Sequence, residues 1–166
     1  MSSESVSFDG MIAERITDLK RMTTGQGALL GLDVGKKTIG VAICDPRWMI
    51  ASPLVLIRRK KFAEDLAQLV DIVSANSVVG LVIGWPVSMD GTEGPRCQST
   101  RQFAQNLTAG IQLPVFFQDE RLSTVAVQRM LTSEADLSRA KRAEVVDKAA
   151  AAWILQSALD AAQRQS

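Results

Sequence analysis

Three carboxylates sit where a globular fold would rather place apolar groups, and the sequence carries no histidine that could share their chemistry. Asp33 comes near the end of the apolar run ALLGLDV (28–34) and is followed by Gly35, which permits a tight turn and the close approach of a ligand to the backbone. Glu120 lies in QDER (118–121), directly after PVFFQ (114–118) and shortly before a segment with helical character. Strand ends that lead into helices are where open α/β sheets build their sites. Asp119 and Glu120 are neighbours, so in extended chain they face opposite sides and one of them enters a given pocket. Asp147 falls in VVDKAAAAWILQ (145–156), on the helical arc shared with Ala143, Ala150, Ala151 and Ile154. An unpaired carboxylate on a buried arc is costly and is normally neutralised or paired.

Each acid also has an ordinary explanation. Asp33 could cap the amides of a turn, Glu120 could pair with Arg121 at the surface, and Asp147 could form a salt bridge. If the three meet, they need something between them. Two carboxylates about 5 Å apart repel by roughly 3 kcal/mol at an effective dielectric near 20. Hard oxygen donors without His or Cys favour Mg²⁺ or Mn²⁺. Such ions activate water and stabilise charge on a phosphoryl group during in-line displacement.

The composition narrows the alternatives. The absence of histidine removes His-based triads, HExxH zinc sites and imidazole bases together. Cys44 and Cys97 are too few and too far apart for a disulfide framework, and they read as reduced thiols. Nineteen Lys and Arg stand against 18 Asp and Glu, a net charge of +1, so any attraction to nucleic acid must come from local patches. The opening MSSESVSFDG lacks a basic start followed by an apolar stretch, and Glu4, Asp9, Glu14 and Asp18 argue against a transit peptide. No run approaches the roughly 18 apolar residues of a membrane span. The expectation is a cytoplasmic protein that does not engage a membrane.

The elements that position these acids read as follows. Residues 1–27 are expected to be an extension, flexible or a short helix over Met11–Met22, docked loosely because the apolar spacing is imperfect. Residues 28–166 form the main domain. ALLGLDV (28–34), TIGVAIC (38–44) and IASPLVLI (50–57) are three strands of an antiparallel meander, with Pro53 marking an edge or a bulge. A helix over Lys60–Ala75 places Phe62, Leu66, Leu69, Val70 and Val73 on one face. VVGLVIG (78–84) is a continuous apolar run of the buried, parallel kind. The loop WPVSMDGTEGP (85–95) leads to a helix over about Arg96–Leu107, then the strand PVFFQ, a helix over Ser123–Glu134 and a last helix near Ala143–Ala162. That last helix is expected to bury Val146, Ala150, Trp153, Ile154, Ser157, Ala158 and Ala161. The order β-β-β-α-β-α-β-α-α makes one mixed five-stranded sheet flanked by helices, an α/β fold.

Four ordered segments carry a family resemblance. GLDVGKKTIGVAICD (31–45), VIGWPVSMDGTEGP (82–95), DERLST (119–124) and VVDKAAAAWILQ (145–156) resemble the YqgF/RuvX family of Holliday-junction-resolvase-like nucleases, from about Leu29 to Asp160. The resemblance implies a ribonuclease H-like fold and a nuclease that matures the 5′ end of pre-16S rRNA, a step of ribosome biogenesis. Resolution of branched DNA junctions is the alternative activity it implies. It also implies that Asp33, Glu120 and Asp147 form the catalytic, metal-binding trio. The family loop usually opens Gly-Leu-Pro, whereas this chain has Gly84-Trp85-Pro86; Trp85 could stack on an unpaired base or close over the core.

Basic residues cluster at Lys36-Lys37, at Arg58-Arg59-Lys60-Lys61 and at Arg139, Lys141 and Arg142. Lys36, Lys37, Arg96, Arg121 and Arg142 flank the acidic motifs, where a phosphate backbone would run. Residues 85–95, with Gly91 and Gly94, could form a substrate-facing flap or an ordinary connection. Two other functions compete with the nuclease. One is a non-catalytic RNA- or ribosome-binding protein of the same fold. The other takes DVGKKTIG as a phosphate loop of the actin/hexokinase type, but the residues after Ala28 leave no room for a second nucleotide-closing lobe.

Overall fold

A computed structural model of the chain describes residues 7–23, 26–87, 90–120 and 139–165 and, within the last helix, the side chains of residues 148–164. Apolar β-branched runs become strands β2 (Ala28–Val34), β3 (Thr38–Cys44), β4 (Ala51–Arg58), β5 (Val78–Trp85) and β6 (Val115–Asp119). Helices α3 (Phe62–Ala75) and α4 (Pro95–Gly110) link them, and α5 (Arg139–Gln165) follows. β2, β3 and β4 pair antiparallel, while β5 lies parallel to both β2 and β6. The meander and the parallel crossovers expected from the sequence are therefore present. Pro53 accounts for an irregularity: the β3–β4 register shifts between Val41 and Ala42, and β4 is the edge strand, where a missing amide donor costs least.

Among the described residues the sheet has six strands, with β1 at Ile12–Ala13, in the order β1-β6-β5-β2-β3-β4, and this corrects the expected five. The additional strand, β1, pairs parallel with Val115 and Phe116 on the far side of β6. Two residues are too few to show alternation, so the sequence pattern could not reveal it. Around it stand the short helix α1 (Phe8–Met11) and α2 (Ile16–Met22). Ala13, Ile16 and Leu19 are buried, and Arg101 of α4 holds Asp9 at 2.8 Å while its guanidinium lies 5.2 Å from the Phe8 ring centroid. Over residues 7–23 the segment is thus a docked part of the sheet and its cover, not a loose tail.

The two sheet faces carry separate cores. Leu30, Leu32, Ile83 and Val115 face Leu69, Phe103 and Leu107 of α3 and α4. Val82, Ala42 and Leu29 face Ile16 and Leu19 of α2 and Ala151, Ile154, Leu155 and Ala158 of α5. Two helix-face expectations need correction. Val70 of α3 is exposed, and Ile72 packs toward the core in its place. Trp153 of α5 is 39% exposed, because the buried stripe is centred on Ala151, Ile154, Leu155 and Ala158. The helix expected over Ser123–Glu134 lies outside the described residues. Among the described residues, no helix is long and apolar enough to cross a membrane.

Candidate active site

The alternation of side chains along neighbouring strands decides which acids can meet. Gly31 lies beside Val82 and Leu32 beside Ile83, and the same register carried on sets Asp33 level with Gly84. Gly84 in turn lies beside Gln118 of β6. Val82 and Phe116 belong to the core under α5, so Gly84 and Gln118, two residues further along, point to that face as well. Glu120, two beyond Gln118, follows the same alternation. Asp33 and Glu120 therefore converge at the carboxyl-terminal ends of β2 and β6, the two parallel strands on either side of β5, on the face covered by α5.

Gly84 makes this arrangement possible. A Cβ built at Gly84 would overlap the Glu120 carboxylate (Oε2) and stand 2.7 Å from Ile154 Cδ1. The absent side chain is the space in which the Glu120 carboxylate lies. Gly31 plays the matching part beneath the helix: a Cβ there would stand 2.8 Å from Leu155 Cβ and 3.0 Å from the Ala151 carbonyl, so α5 rests directly on β2. Neither glycine stands out in the sequence, since both sit inside apolar runs that read simply as strand.

Burial pushes the Glu120 carboxyl from an ordinary 4.5 up to about 7. The negative charge of Asp33 is the next cause; Arg96 opposes the rise, and Asp119 adds to it. The dependence on Asp33 and Arg96 puts both within electrostatic reach of Glu120. A half-buried carboxylate raised by a second carboxylate is the arrangement a divalent cation would reverse, and the donors are hard oxygens without imidazole or thiolate. Both acids fit such an ion. Cys97 is buried, and burial raises its thiol; burial likewise pushes the Cys44 thiol up to about 11, and both cysteines are free. Neither suits metal coordination at neutral pH.

The third acid is placed through its helix. Gln156 of α5 accepts from the Ala51 amide and donates to the Met49 carbonyl, and Gln163 donates to Met49 Sδ. Met49 lies in the β3–β4 loop, at the sheet end opposite Asp33. Ala151 and Leu155 lie over Gly31. The helix thus runs antiparallel to β2, and the turn preceding Ala151, which contains Asp147, heads toward the end of β2 that carries Asp33. The side chain of Asp147 lies outside the described residues, as do Arg121 and the side chain of Arg142.

The remaining expected residues divide. Lys36 and Lys37 are exposed in the β2–β3 turn that follows Asp33, and Arg96 is exposed in the first turn of α4. Trp85 turns to the opposite face from Gly84: its ring packs against Phe117 at 4.7 Å between centroids, and its Nε1 donates to Glu93 at 3.3 Å. The contact ties the loop after β5 to the sheet. Trp85 is half-buried on that face, opposite the one on which Gly84 and Asp33 lie.

Comparison with known proteins agrees with this geometry. The family model described as "RuvX: Holliday junction resolvase" matches residues 27–161. A protein of Rhodospirillum rubrum named "Putative pre-16S rRNA nuclease" is 58% identical over 82% of this chain and 85% of its own. A protein of Phenylobacterium zucineum with the same name is 56% identical over 87% of this chain and 94% of its own. Among solved structures, Thermus thermophilus RuvC in complex with a Holliday junction substrate matches with a TM-score of 0.51. It is 12% identical over 82% of this chain and 96% of that one, a likeness that concerns the fold alone. The ordered motifs, the mixed sheet and the match over residues 27–161 lead to one conclusion: the chain belongs to the RuvX family.

Proposed function

We propose that the chain is a cytoplasmic, divalent-metal-dependent nuclease that hydrolyses phosphodiester bonds during 5′-end maturation of pre-16S rRNA. The observation that carries this reading is the half-buried Glu120 carboxyl, raised by burial and then by Asp33, at the ends of two parallel strands. The relatives named for a pre-16S rRNA nuclease supply the substrate class.

In this reading Asp33, Glu120 and Asp147 hold Mg²⁺ or Mn²⁺. Asp147 lies four residues before Ala151, seven before Ile154 and eleven before Ala158, in phase with the buried stripe of α5. When bound, the ion supplies a polarised water and charge stabilisation at the phosphoryl oxygens. Asp33 and Glu120 keep their carboxylates fixed on a rigid sheet, which preserves the geometry needed for in-line attack. Ile154 and the closely packed α5 shield one side of the pair from bulk water, which strengthens its hold on a cation. Arg96 and Lys36 stand where the phosphate backbone would approach, with Lys37 beside Lys36 in the same turn, and Arg121 and Arg142 are assigned to the substrate from their places in the sequence alone.

The test is cleavage of labelled pre-16S rRNA fragments and of four-way DNA junctions, in Mg²⁺, Mn²⁺ or EDTA, by the wild type and by Asp147→Asn. The expected result is metal-dependent cutting of the RNA, lost in a variant whose circular dichroism is unchanged. Preferential cutting of the junction would move the substrate to branched DNA. Tight RNA binding with no cleavage in either metal, unaltered by the substitution, would make the protein a binding module.

A further inference from the structure

A cavity of about 470 Å³ opens at the end of β2, in the turn that follows Asp33. Three separate stretches of chain line it: Lys36 in the β2–β3 turn, Arg59 and Lys60 between β4 and α3, and Arg96, Ser99 and Thr100 in the first turns of α4. Four cations face one small space, although the whole chain carries a net charge of only +1. The concentration is local, and local charge draws in a polyanion.

The cavity is also organised. Arg59 Nη1 donates to the Gly35 carbonyl at 2.6 Å, and its guanidinium lies 5.2 Å from the Phe103 ring centroid. The Arg59 amide donates to the Lys37 carbonyl at 2.8 Å, tying this link to the β2–β3 turn. The Lys60 amide donates to Asp65 at 3.0 Å, and Asp65 is 1% exposed, so the backbone that carries Lys60 is anchored to α3. Ser99 is exposed, and Thr100, 4% exposed, forms part of the wall. α4 begins at Gly94 and Pro95 without a side-chain cap, which leaves the positive end of its dipole directed at the same region.

We propose that this cavity is a phosphate subsite that grips the substrate strand at a phosphate other than the scissile one, with Arg59, Lys60 and Ser99 as its contacts. It rests on the nuclease reading for its substrate but not for its test. Its place follows from continuity. Val34 and Gly35, which line it, directly follow Asp33, and Arg96 lies within electrostatic reach of Glu120. The cavity and the acid pair thus share the turn after β2 and the start of α4, so one strand crossing that end of the sheet reaches both. The phosphate is either a backbone phosphodiester or a terminal monophosphate, and both present the same oxygens to arginine and lysine.

The test is binding of a fluorescent single-stranded RNA in EDTA, where no cleavage is needed, at several KCl concentrations. Lys60→Gln is expected to weaken binding about threefold to tenfold at 100 mM salt and to reduce the salt slope by about 0.7. Ser99→Glu is a second variant that the helix tolerates, since Ser99 is exposed in the second turn of α4 and Glu is a good helix former; its loss is expected to be at least as large. The comparison variant is Arg47→Gln, in a separate 360 Å³ cavity formed with Lys20 and Trp48, and its loss is expected to be smaller than either. Equal losses for 5′-phosphorylated and 5′-hydroxyl RNA identify a backbone phosphate, and a loss confined to the phosphorylated strand identifies a terminal one. Unchanged affinity and slope in folded Lys60→Gln and Ser99→Glu would overturn the subsite, as would an equal loss in Arg47→Gln. Cleavage by the wild type separates the two readings: cutting with an indifferent cavity refutes only the subsite, and cavity-dependent binding without cutting refutes only the nuclease.

Discussion

Two strands of the sheet end on an acid, and the two acids live in opposite surroundings. Asp45 follows β3 and accepts hydrogen bonds from the amides of Met49 at 2.8 Å, Ile50 at 2.9 Å and Arg47 at 3.3 Å. Those bonds, Ile50 and Met49 foremost, hold its carboxyl below the usual range. Glu120 follows β6 at the other end of the sheet, and burial and Asp33 push it up to about 7. The first carboxylate is satisfied by its own loop and closes a turn. The second is half-buried beside another negative charge, an arrangement that a turn does not need and a bound cation would relieve. A strand-end acid in the sequence is therefore not yet a site; its surroundings decide.

The largest effect that would break or sharpen this contrast is catalytic. Asp33→Asn and Glu120→Gln are each expected to lower single-turnover cleavage by about a thousandfold or more, the scale for losing charge stabilisation at a phosphoryl centre. Asp45→Asn is expected to leave it within about twofold. A comparable loss in Asp45→Asn would erase the distinction.

Next comes Gly84→Ala, whose new methyl occupies the space of the Glu120 carboxylate and crowds Ile154. Displacing a reacting group by about 1 Å costs about a hundredfold in rate, and overpacking costs about 1–3 kcal/mol. Kinetics and denaturant melts of one sample read both. Full activity in this variant would mean that the carboxylate does not work from the position it takes over Gly84.

The third effect is the pH dependence of the metal-free protein. Glu120 has a folded value near 7 and an ordinary value of 4.5, so the folded state binds its proton more tightly. Its contribution is fully present below 4.5 and is lost as pH rises through 7, by about 2 kcal/mol after discounting partial exposure. Glu120→Gln is expected to remove that decline and to melt higher than the wild type at pH 8 without metal. Asp45 has the opposite sign: its lowered value favours the fold above an ordinary 3.8, and that support fades as pH falls through its folded value. The smallest effect belongs to Asp45→Asn, a slight drop in Tm at pH 7 that disappears at low pH; an increase in Tm would contradict the turn-closing role.

The same contrast shows what the sequence made legible. The runs 28–34, 38–44 and 78–84 announced buried strands because every position is apolar or small, and Pro53 announced an edge because it lacks an amide. The pairing of Asp33 with Glu120 was legible as two strand-end acids, yet Asp45 has that signature too, and only the surroundings separate them: loop amides about Asp45, a second carboxylate beside Glu120. β1 was illegible because two residues carry no period. Gly84 and Gly31 were illegible because their meaning lies in what stands opposite them, Glu120 in one case and α5 in the other. The basic cavity assembles residues 36, 59–60 and 96–100, and nothing local joins those stretches. The face of the last helix was partly readable from the 3.6-residue period: Ala150, Ile154 and Ala158 are buried as expected, and Trp153 was misplaced because the true stripe is centred elsewhere.

The central claim is that Asp33, Glu120 and Asp147 act together on one cation, and calorimetric titration of Mn²⁺ into the wild type and into Asp147→Asn at pH 7.5 tests it most directly. The expected result is saturable binding to the wild type that weakens by at least about tenfold in a folded Asp147→Asn, the scale for losing a ligand or its close support. Equal affinity in the two proteins would contradict the account, because the last helix would then contribute nothing to the metal.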